Sequence, residues 1–197
     1  MKEKAQKGDF LDVLLRSKKT VFSVRDVVLL WSDSDIGAIK VRLHSYVKAK
    51  KLIRLRQGIY AKDIHYNKYE LANHILRPSY VSFETVLTAA GINFQYYSRV
   101  FSASYVRRKI VCDNTDYEFF AIKKSTLTNP AGIDQSGEYS IAVPERAFLD
   151  TIYRSKDYHF DNMGPLNWEK VFDILPIYEN KKMSQKVEKY YKWFKSE

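Results

Sequence analysis

Residues 34–57 combine basic, hydroxyl-bearing and small apolar side chains. Lysine and arginine bind phosphate oxygens, whereas hydroxyl groups and small apolar side chains contact the edges of bases. In the helical part of this stretch no acidic residue follows Asp35, although a helix that merely faces solvent usually carries Glu as well as Lys. The pattern therefore predicts binding of duplex nucleic acid by Ser34, Lys40, Val41, Arg42, Ser45, Lys48, Arg54, Arg56 and Gln57.

Three helices are predicted to position the first of these side chains. The first spans Lys7 to Arg16 and carries a narrow apolar stripe. The second begins at Ser23, with Asp26 three residues later as its capping-box partner. The third spans about Asp35 to Lys50, directly before a short basic segment.

The third predicted helix has two different faces. Its N-cap is expected to be Ser32 or Ser34, because a serine hydroxyl accepts hydrogen bonds from the first free amides. Small residues on the outer face allow close approach to a groove floor, and the flanking cations can reach phosphates. His44 is interpreted as structural, as most lone histidines beside a helix face are. The opposite side is apolar at helical spacing and is predicted to be buried: Ile36, Ile39, Leu43, Tyr46 and Val47.

A β-hairpin is predicted directly after the third helix. Leu55 and the segment 59–61 form short strands around a Gln57-Gly58 turn. Arg54 and Arg56 are two residues apart, so both project from one face. Three helices followed by a basic hairpin are typical of a winged helix-turn-helix, in which the third helix enters the major groove and the hairpin lies against the backbone. The alternative, a helical subdomain without a ligand, leaves the local charge unexplained.

The distribution of charge supports a nucleic-acid partner for the first part of the chain. The chain has a net charge of +10, and residues 1–62 hold 15 Lys and Arg against 6 Asp and Glu. Residues 63–197 hold 18 against 17, so the excess is almost confined to the first third. This asymmetry is typical of a polyanion-binding module joined to a neutral one. A lysine-rich surface that only maintains solubility is the alternative.

The remainder of the chain is predicted to form a second domain. Residues 1–63 are assigned to the winged helix-turn-helix and residues 64–197 to a mixed α+β domain with a mainly antiparallel sheet. A helix capped by Ser82 is expected to run to Ala90, and another is expected from Pro144 to Tyr153. The last helix, from Ser184 to Phe194, is basic and aromatic, and it either covers the core or docks a partner or membrane surface.

Three acids of the second domain, Glu84, Glu145 and Asp150, could form a catalytic or metal-binding set. Structural roles explain them as well, because Glu84 and Glu145 fall in first turns of predicted helices, where a carboxylate meets the helix dipole favourably. Asp150 can pair with Arg146, four residues earlier. The chain also has no glycine-rich phosphate loop and no Cys/His set at zinc-ligand spacing. We therefore expect neither an enzyme nor a bound cofactor or metal ion.

The cellular compartment is predicted from what the sequence does not contain. No apolar stretch approaches the length that spans a bilayer, and charges interrupt the apolar run of the N-terminus. The single cysteine, Cys112, cannot form an internal disulfide. These features indicate a cytoplasmic protein without a membrane partner.

Three stretches of the chain resemble the AbiEi-type antitoxins, abortive-infection proteins of bacterial type IV toxin–antitoxin pairs. The first runs from Leu43 to Tyr60 and contains the helix-to-wing passage. The second is Pro78-Ser79-Tyr80-Val81-Ser82-Phe83-Glu84-Thr85-Val86-Leu87, followed by Gly91. The third is Val143-Pro144-Glu145-Arg146-Ala147-Phe148-Leu149-Asp150-Thr151-Ile152-Tyr153. The resemblance covers roughly residues 8–155, and it depends on the order and spacing of the stretches.

The resemblance implies a transcriptional autorepressor that binds double-stranded DNA at its own promoter, at inverted repeats. It also implies a second domain tied to antitoxin activity and a cognate toxin similar to nucleotidyltransferases, with which the antitoxin need not form a stable complex. Two alternatives stay open from the residues themselves. One is a nucleic-acid-processing enzyme that uses the carboxylates of the second domain, and the other is an antitoxin that neutralises its toxin by direct contact.

Overall fold

The computed structural model describes residues 9–155 and 157–196, which form helices and mostly short strands. The chain divides into two compact units between Ile75 and Leu76. The predicted α+β class is confirmed. The boundary, however, lies after Ile75 and not after Asp63, so the predicted division is wrong by one helix.

The first unit contains four helices and a three-stranded sheet within its described residues. The sheet is antiparallel with the strand order β1-β3-β2, and β2 and β3 form the predicted hairpin. The first predicted helix was expected to begin at Lys7, which lies outside the described residues. In chain order the elements are α1 (Asp9–Arg16), β1 (Val21–Ser23), α2 (Val24–Trp31), α3 (Ile36–Lys48), β2 (Ile53–Arg56), β3 (Ile59–Ala61) and α4 (Lys68–Ile75).

The beginnings of α2 and α3 are determined by side-chain caps. The predicted capping box of α2 is confirmed, because Ser23 N donates to Asp26 Oδ2 at 2.8 Å and Asp26 N donates to Ser23 Oγ at 3.3 Å. The predicted serine cap of α3 is wrong. Asp35 is the N-cap, and its Oδ1 accepts a hydrogen bond from Ala38 N at 3.0 Å. A carboxylate at this position also interacts favourably with the positive end of the helix dipole.

The core of the first unit is built around Trp31. Its indole N–H donates to the carbonyl of Phe10 at 2.8 Å, and the ring of Phe10 packs edge-on with centroids 4.9 Å apart. Ile39 and Leu43 of α3 are completely buried in the same cluster. Ile36, which was also predicted to be buried, is 51% exposed, because it lies in the first turn of α3 at the edge of the apolar face.

Helix α4 belongs to the first unit because of a buried glutamate. Glu70 Oε2 accepts hydrogen bonds from Thr20 N at 2.9 Å and from Thr20 Oγ1 at 2.6 Å. Burial raises the pKa of Glu70, and the hydrogen bonds from Thr20 oppose this shift. These contacts attach α4 to the residue before β1, and they explain why the boundary lies later than predicted.

The second unit contains a six-stranded sheet with the strand order β6-β7-β5-β4-β9-β8. In chain order the elements are β4 (Ser79–Val81), α5 (Glu84–Ala89), β5 (Val100–Ser104), β6 (Arg108–Cys112), β7 (Thr115–Ala121), α6 (Lys124–Leu127), β8 (Ile133–Asp134), β9 (Ile141–Ala142), α7 (Pro144–Arg154), α8 (Trp168–Ile174), a 3₁₀ helix (Leu175–Tyr178) and α9 (Lys181–Ser196).

The sheet of the second unit is mixed. Three pairings are antiparallel, as predicted: β4 with β5, β6 with β7, and β8 with β9. Two are parallel, namely β5 with β7 and β4 with β9. The β6–β7 hairpin places β6 at the edge of the sheet, so that β7 runs parallel to β5. The alternation of apolar and polar side chains along the strands does not reveal this arrangement.

Helix α9 covers the helical layer of the second unit. Met183 and Val187 are buried, and the hydroxyl of Tyr190 donates to the carbonyl of Tyr158 at 2.5 Å. The ring of Tyr191 lies 5.0 Å from that of Trp168 on α8. The described part of the chain contains no helix of the length and apolarity needed to cross a bilayer.

Candidate nucleic-acid interface

The outer face of α3 brings together most of the residues predicted to bind nucleic acid. Lys40, Ser45 and Lys48 are exposed on the helix, and Ser34 is exposed just before it. Val41 is 71% exposed on the same face. On the opposite side the helix is fixed to the core, so this face is presented by a rigid element.

His44 lies on the same exposed face, although its sequence context predicted a structural role. It is three residues after Val41 and four before Lys48, and residues at these spacings are neighbours on a helix surface. The side chain is exposed. The helical spacing itself was the signal that would have included His44 among the candidates.

Arg42 does not belong to this face, in contrast to the prediction. Its guanidinium carbon lies 3.8 Å from the ring centroid of Phe10 and 5.6 Å from that of Trp31. Its Nη1 atom is buried and has no hydrogen-bond partner within the described residues. Arg42 precedes the buried Leu43 and lies on the core side of α3, where its cation stacks on aromatic rings. The sequence pattern did not distinguish a flanking cation that reaches outward from one that turns inward.

The β2–β3 hairpin exposes the other three predicted residues, Arg54, Arg56 and Gln57. Gly58 occupies the turn with a φ of +75°, a conformation that glycine adopts without strain. The register shifts between Arg54 and Arg56, which marks a bulge on the hairpin strand. In addition, Val24 N donates to the carbonyl of Gly58 at 3.2 Å, so the turn is attached to the start of α2.

Each of the three candidate acids, Glu84, Glu145 and Asp150, has its own hydrogen-bond partners. Asp150 is completely buried and accepts hydrogen bonds from the hydroxyls of Tyr80, Ser82 and Tyr178, with shortest distances of 2.9, 2.7 and 2.6 Å. Its predicted partner Arg146 is confirmed, with Nε 3.4 Å from Asp150 Oδ1. The carboxylate is therefore surrounded by donors within the core.

Arg146 completes this buried cluster. Its Nη2 donates to the carbonyl of Thr126 at 2.7 Å and to the hydroxyl of Tyr80 at 2.9 Å. Burial raises the pKa of Asp150 above its usual range, and the Arg146 charge and the three hydroxyl donors oppose this shift. Burial, followed by the neighbouring Asp150, also raises the pKa of Tyr178, which is therefore a neutral donor. This arrangement satisfies the buried charges of Arg146 and Asp150 within the core.

Glu84 and Glu145 have equally local partners. Glu84 forms a two-point ion pair with Arg154, and Glu145 Oε1 accepts the backbone N–H of Asn167, the N-cap of α8, at 3.0 Å. The predicted Ser82 cap of the helix that carries Glu84 is wrong, because Phe83 occupies the N-cap position and the Ser82 hydroxyl bonds Asp150 instead. Within the described residues no group of three or more His, Cys, Asp or Glu could hold a metal ion.

Comparisons with known proteins do not identify a relative of this chain. No protein-family model matches it, and a search of the curated proteins finds no match. Its function must therefore be inferred from the geometry and charge of its own residues. The strongest feature is the rigid, exposed and basic surface formed by α3, together with the exposed arginines of the hairpin.

Proposed function

We propose that this chain is a DNA-binding transcriptional autorepressor and the antitoxin of a type IV toxin–antitoxin pair. In this proposal the first unit is a winged helix-turn-helix, with α2 and α3 as the two helices of the motif and β2–β3 as the wing. The observation that carries it is the outer face of α3. Lys40, Val41 and Lys48 are exposed there, while the other side of the helix is anchored in the core.

In this proposal α3 lies in the major groove of the operator. The Val41 side chain would contact a thymine methyl group, while Ser34, Ser45 and His44 would form hydrogen bonds with base edges or phosphates. Lys40 and Lys48 would bind phosphates at the sides of the groove. Arg54, Arg56 and Gln57 of the wing would contact the backbone or an adjacent minor groove. The described part of α3 contains no carboxylate that would repel the duplex.

The second unit would provide the antitoxin activity. The second and third stretches that resemble the AbiEi-type antitoxins meet in this unit, through Tyr80 and Ser82 on one side and Arg146 and Asp150 on the other. The polar residues of both stretches form hydrogen bonds inside the core, and such bonds are expected where a family shares one fold. The partner would be a nucleotidyltransferase-like toxin, and the DNA site would be inverted repeats in the protein's own promoter.

The double variant Arg54→Ala/Arg56→Ala tests the wing. If both arginines bind phosphates, the slope of log affinity against log salt should fall by about 1.8, because each such contact contributes about 0.9. Affinity for a promoter duplex at low salt should also fall by at least about tenfold. The measurement is a fluorescence anisotropy titration at several salt concentrations, with circular dichroism as the test of folding.

The matched control removes two exposed cations from the second unit, as Lys181→Ala/Lys182→Ala. This variant has the same net charge as the arginine variant, so any general effect of charge is equal in both. We expect its salt slope to stay close to that of the unmodified protein. Unchanged DNA affinity in the arginine variant, or an equal loss in both variants, would contradict the wing assignment.

The variants Arg42→Ala and Lys48→Ala should separate an effect on the stability of the first unit from an effect on DNA binding. Because Arg42 stacks on Phe10, its removal should lower the free energy of unfolding by about 0.5–1 kcal/mol and leave the salt slope unchanged. Lys48→Ala should have little effect on stability and should lower the slope by about 0.9. Urea unfolding and the same anisotropy titration measure the two effects. A slope that falls for Arg42→Ala but not for Lys48→Ala would place the interface on another face of α3.

A further inference from the structure

The second unit contains a cleft that its structural clusters do not explain. It lies beside the β6–β7 hairpin and the end of α7, with a volume of about 590 Å³. This is within the range of pockets that hold small organic ligands, roughly 300–1,000 Å³. The lining includes Arg107, Phe120, Tyr153 and Arg154, so cations and aromatic rings face the same space.

Two guanidinium groups of the cleft share one aromatic ring. The guanidinium carbon of Arg154 lies 4.3 Å from the centroid of Phe120, and that of Arg107 lies 5.8 Å from the same centroid. Arg154 is held in place by its two-point pair with Glu84 and by the ring of Phe83 at 5.1 Å. A guanidinium carries five N–H donors, and Arg154 uses two of them on Glu84, so the others can bind a ligand.

Arg154 is paired with Glu84, so the unneutralised positive charge of the cleft is that of Arg107. Glu118 also lines the space, but its Oε2 pairs with Arg99 at 2.8 Å and its Oε1 with Lys109 at 3.3 Å. Within the described residues no carboxylate pairs with Arg107. Charged side chains on an edge strand can have the sole role of preventing the strand from pairing with another chain. This role explains Arg108 and Lys109 of β6. Arg107 precedes that strand and turns its cation to Phe120.

We propose that this cleft binds a free nucleoside phosphate. The phosphate group would be held by Arg107 and Arg154, because guanidinium groups match phosphate oxygens in geometry and charge. The base would stack on Tyr153, because the Phe120 ring is already covered by Arg154 and stacks on Phe101. This site is separate from the DNA-binding face of α3, and its existence does not depend on the proposed repressor function.

Calorimetric titration of the full chain with nucleoside monophosphates tests this proposal. The matching nucleosides and inorganic phosphate are titrated separately, because each represents one part of the monophosphate. The monophosphate should bind at least about tenfold more tightly than either part, because only it uses both the cations and the ring. Arg107→Ala should weaken monophosphate binding by about tenfold, the effect of losing one charged hydrogen bond. The adjacent exposed residue provides the matched control, Arg108→Ala, which should bind as the unmodified chain does.

The circular dichroism spectra of both variants should match that of the unmodified chain, which confirms that the second unit is folded. Affinity for the promoter duplex should also be the same in both variants, which separates this site from the proposed DNA-binding face. The proposal would be overturned by the absence of monophosphate binding at millimolar concentration. An equal loss in Arg107→Ala and Arg108→Ala would also overturn it, since this indicates general charge attraction. Tighter binding of a single-stranded oligonucleotide than of the mononucleotide would overturn the assignment of a free nucleotide.

Discussion

Replacing Asp150 with alanine is expected to lower the free energy of unfolding of the second unit by about 3–5 kcal/mol, the usual cost of breaking a buried ion pair. The substitution leaves the Arg146 guanidinium without its counter-charge in a completely buried position. It also removes the shared acceptor of Tyr80, Ser82 and Tyr178. Urea unfolding followed by tryptophan fluorescence in a Trp31→Phe background isolates the second unit, because Trp168 and Trp193 both belong to it.

Two further variants show whether the loss comes from the unpaired charge. Asp150→Asn keeps the size and one acceptor oxygen, so it should cost less than Asp150→Ala. Arg146→Met/Asp150→Leu removes both charges and should be less destabilising than the sum of the two single changes, because neither partner is left buried alone. Additive effects of the single changes would contradict an Arg146–Asp150 interaction within the core.

Replacing Trp31 with alanine is expected to cost the first unit about 3–5 kcal/mol, as for other buried tryptophans. The change removes the hydrogen bond to the Phe10 carbonyl, the contacts with Phe10 and Tyr46, and the ring under Arg42. A unit of this size is typically stable by about 4–11 kcal/mol, so the variant would lose a large part of its stability. Hydrogen exchange of peptides from residues 10–61 measures the effect.

A second substitution on α2 provides the comparison for Trp31→Ala. Leu29 is 77% exposed on the same helix, and Leu29→Ala should change stability by less than about 0.5 kcal/mol. Promoter binding should fall with Trp31→Ala, because α3 loses its support, and should persist with Leu29→Ala. If Trp31→Ala left hydrogen exchange in α3 unchanged, the packing of α3 on this tryptophan would not matter for its position.

The local features of the first unit could be predicted from the sequence because they depend on neighbouring residues. The capping box joins residues three apart, and the turn at Gly58 depends on the conformational freedom of that one residue. The buried side of α3 around Ile39 and Leu43 follows from helical periodicity. The same periodicity identifies the exposed candidates, and applied consistently it would also have included His44.

Features that depend on distant residues could not be predicted in the same way. The hydrogen bond between Thr20 and Glu70, which are 50 residues apart, helps to attach α4 to the first unit. Ser82 has the sequence context of an N-cap, but it bonds Asp150, 68 residues later. Arg42 belongs to the core side only because Phe10 of another helix offers it an aromatic face. In each case the decisive partner is supplied by the tertiary fold.

The hydrogen bond between Val24 and Gly58 has a consequence for how the first unit would meet a duplex. It joins the hairpin tip to the helix that precedes α3, so in the proposed complex the hairpin would be restrained relative to the helical part of the unit before any encounter. Less conformational entropy is then lost when the complex forms, and more of the contact energy appears as affinity. If the proposed function is right, such a surface would select operators whose groove geometry already matches it, with little adjustment of the protein on recognition.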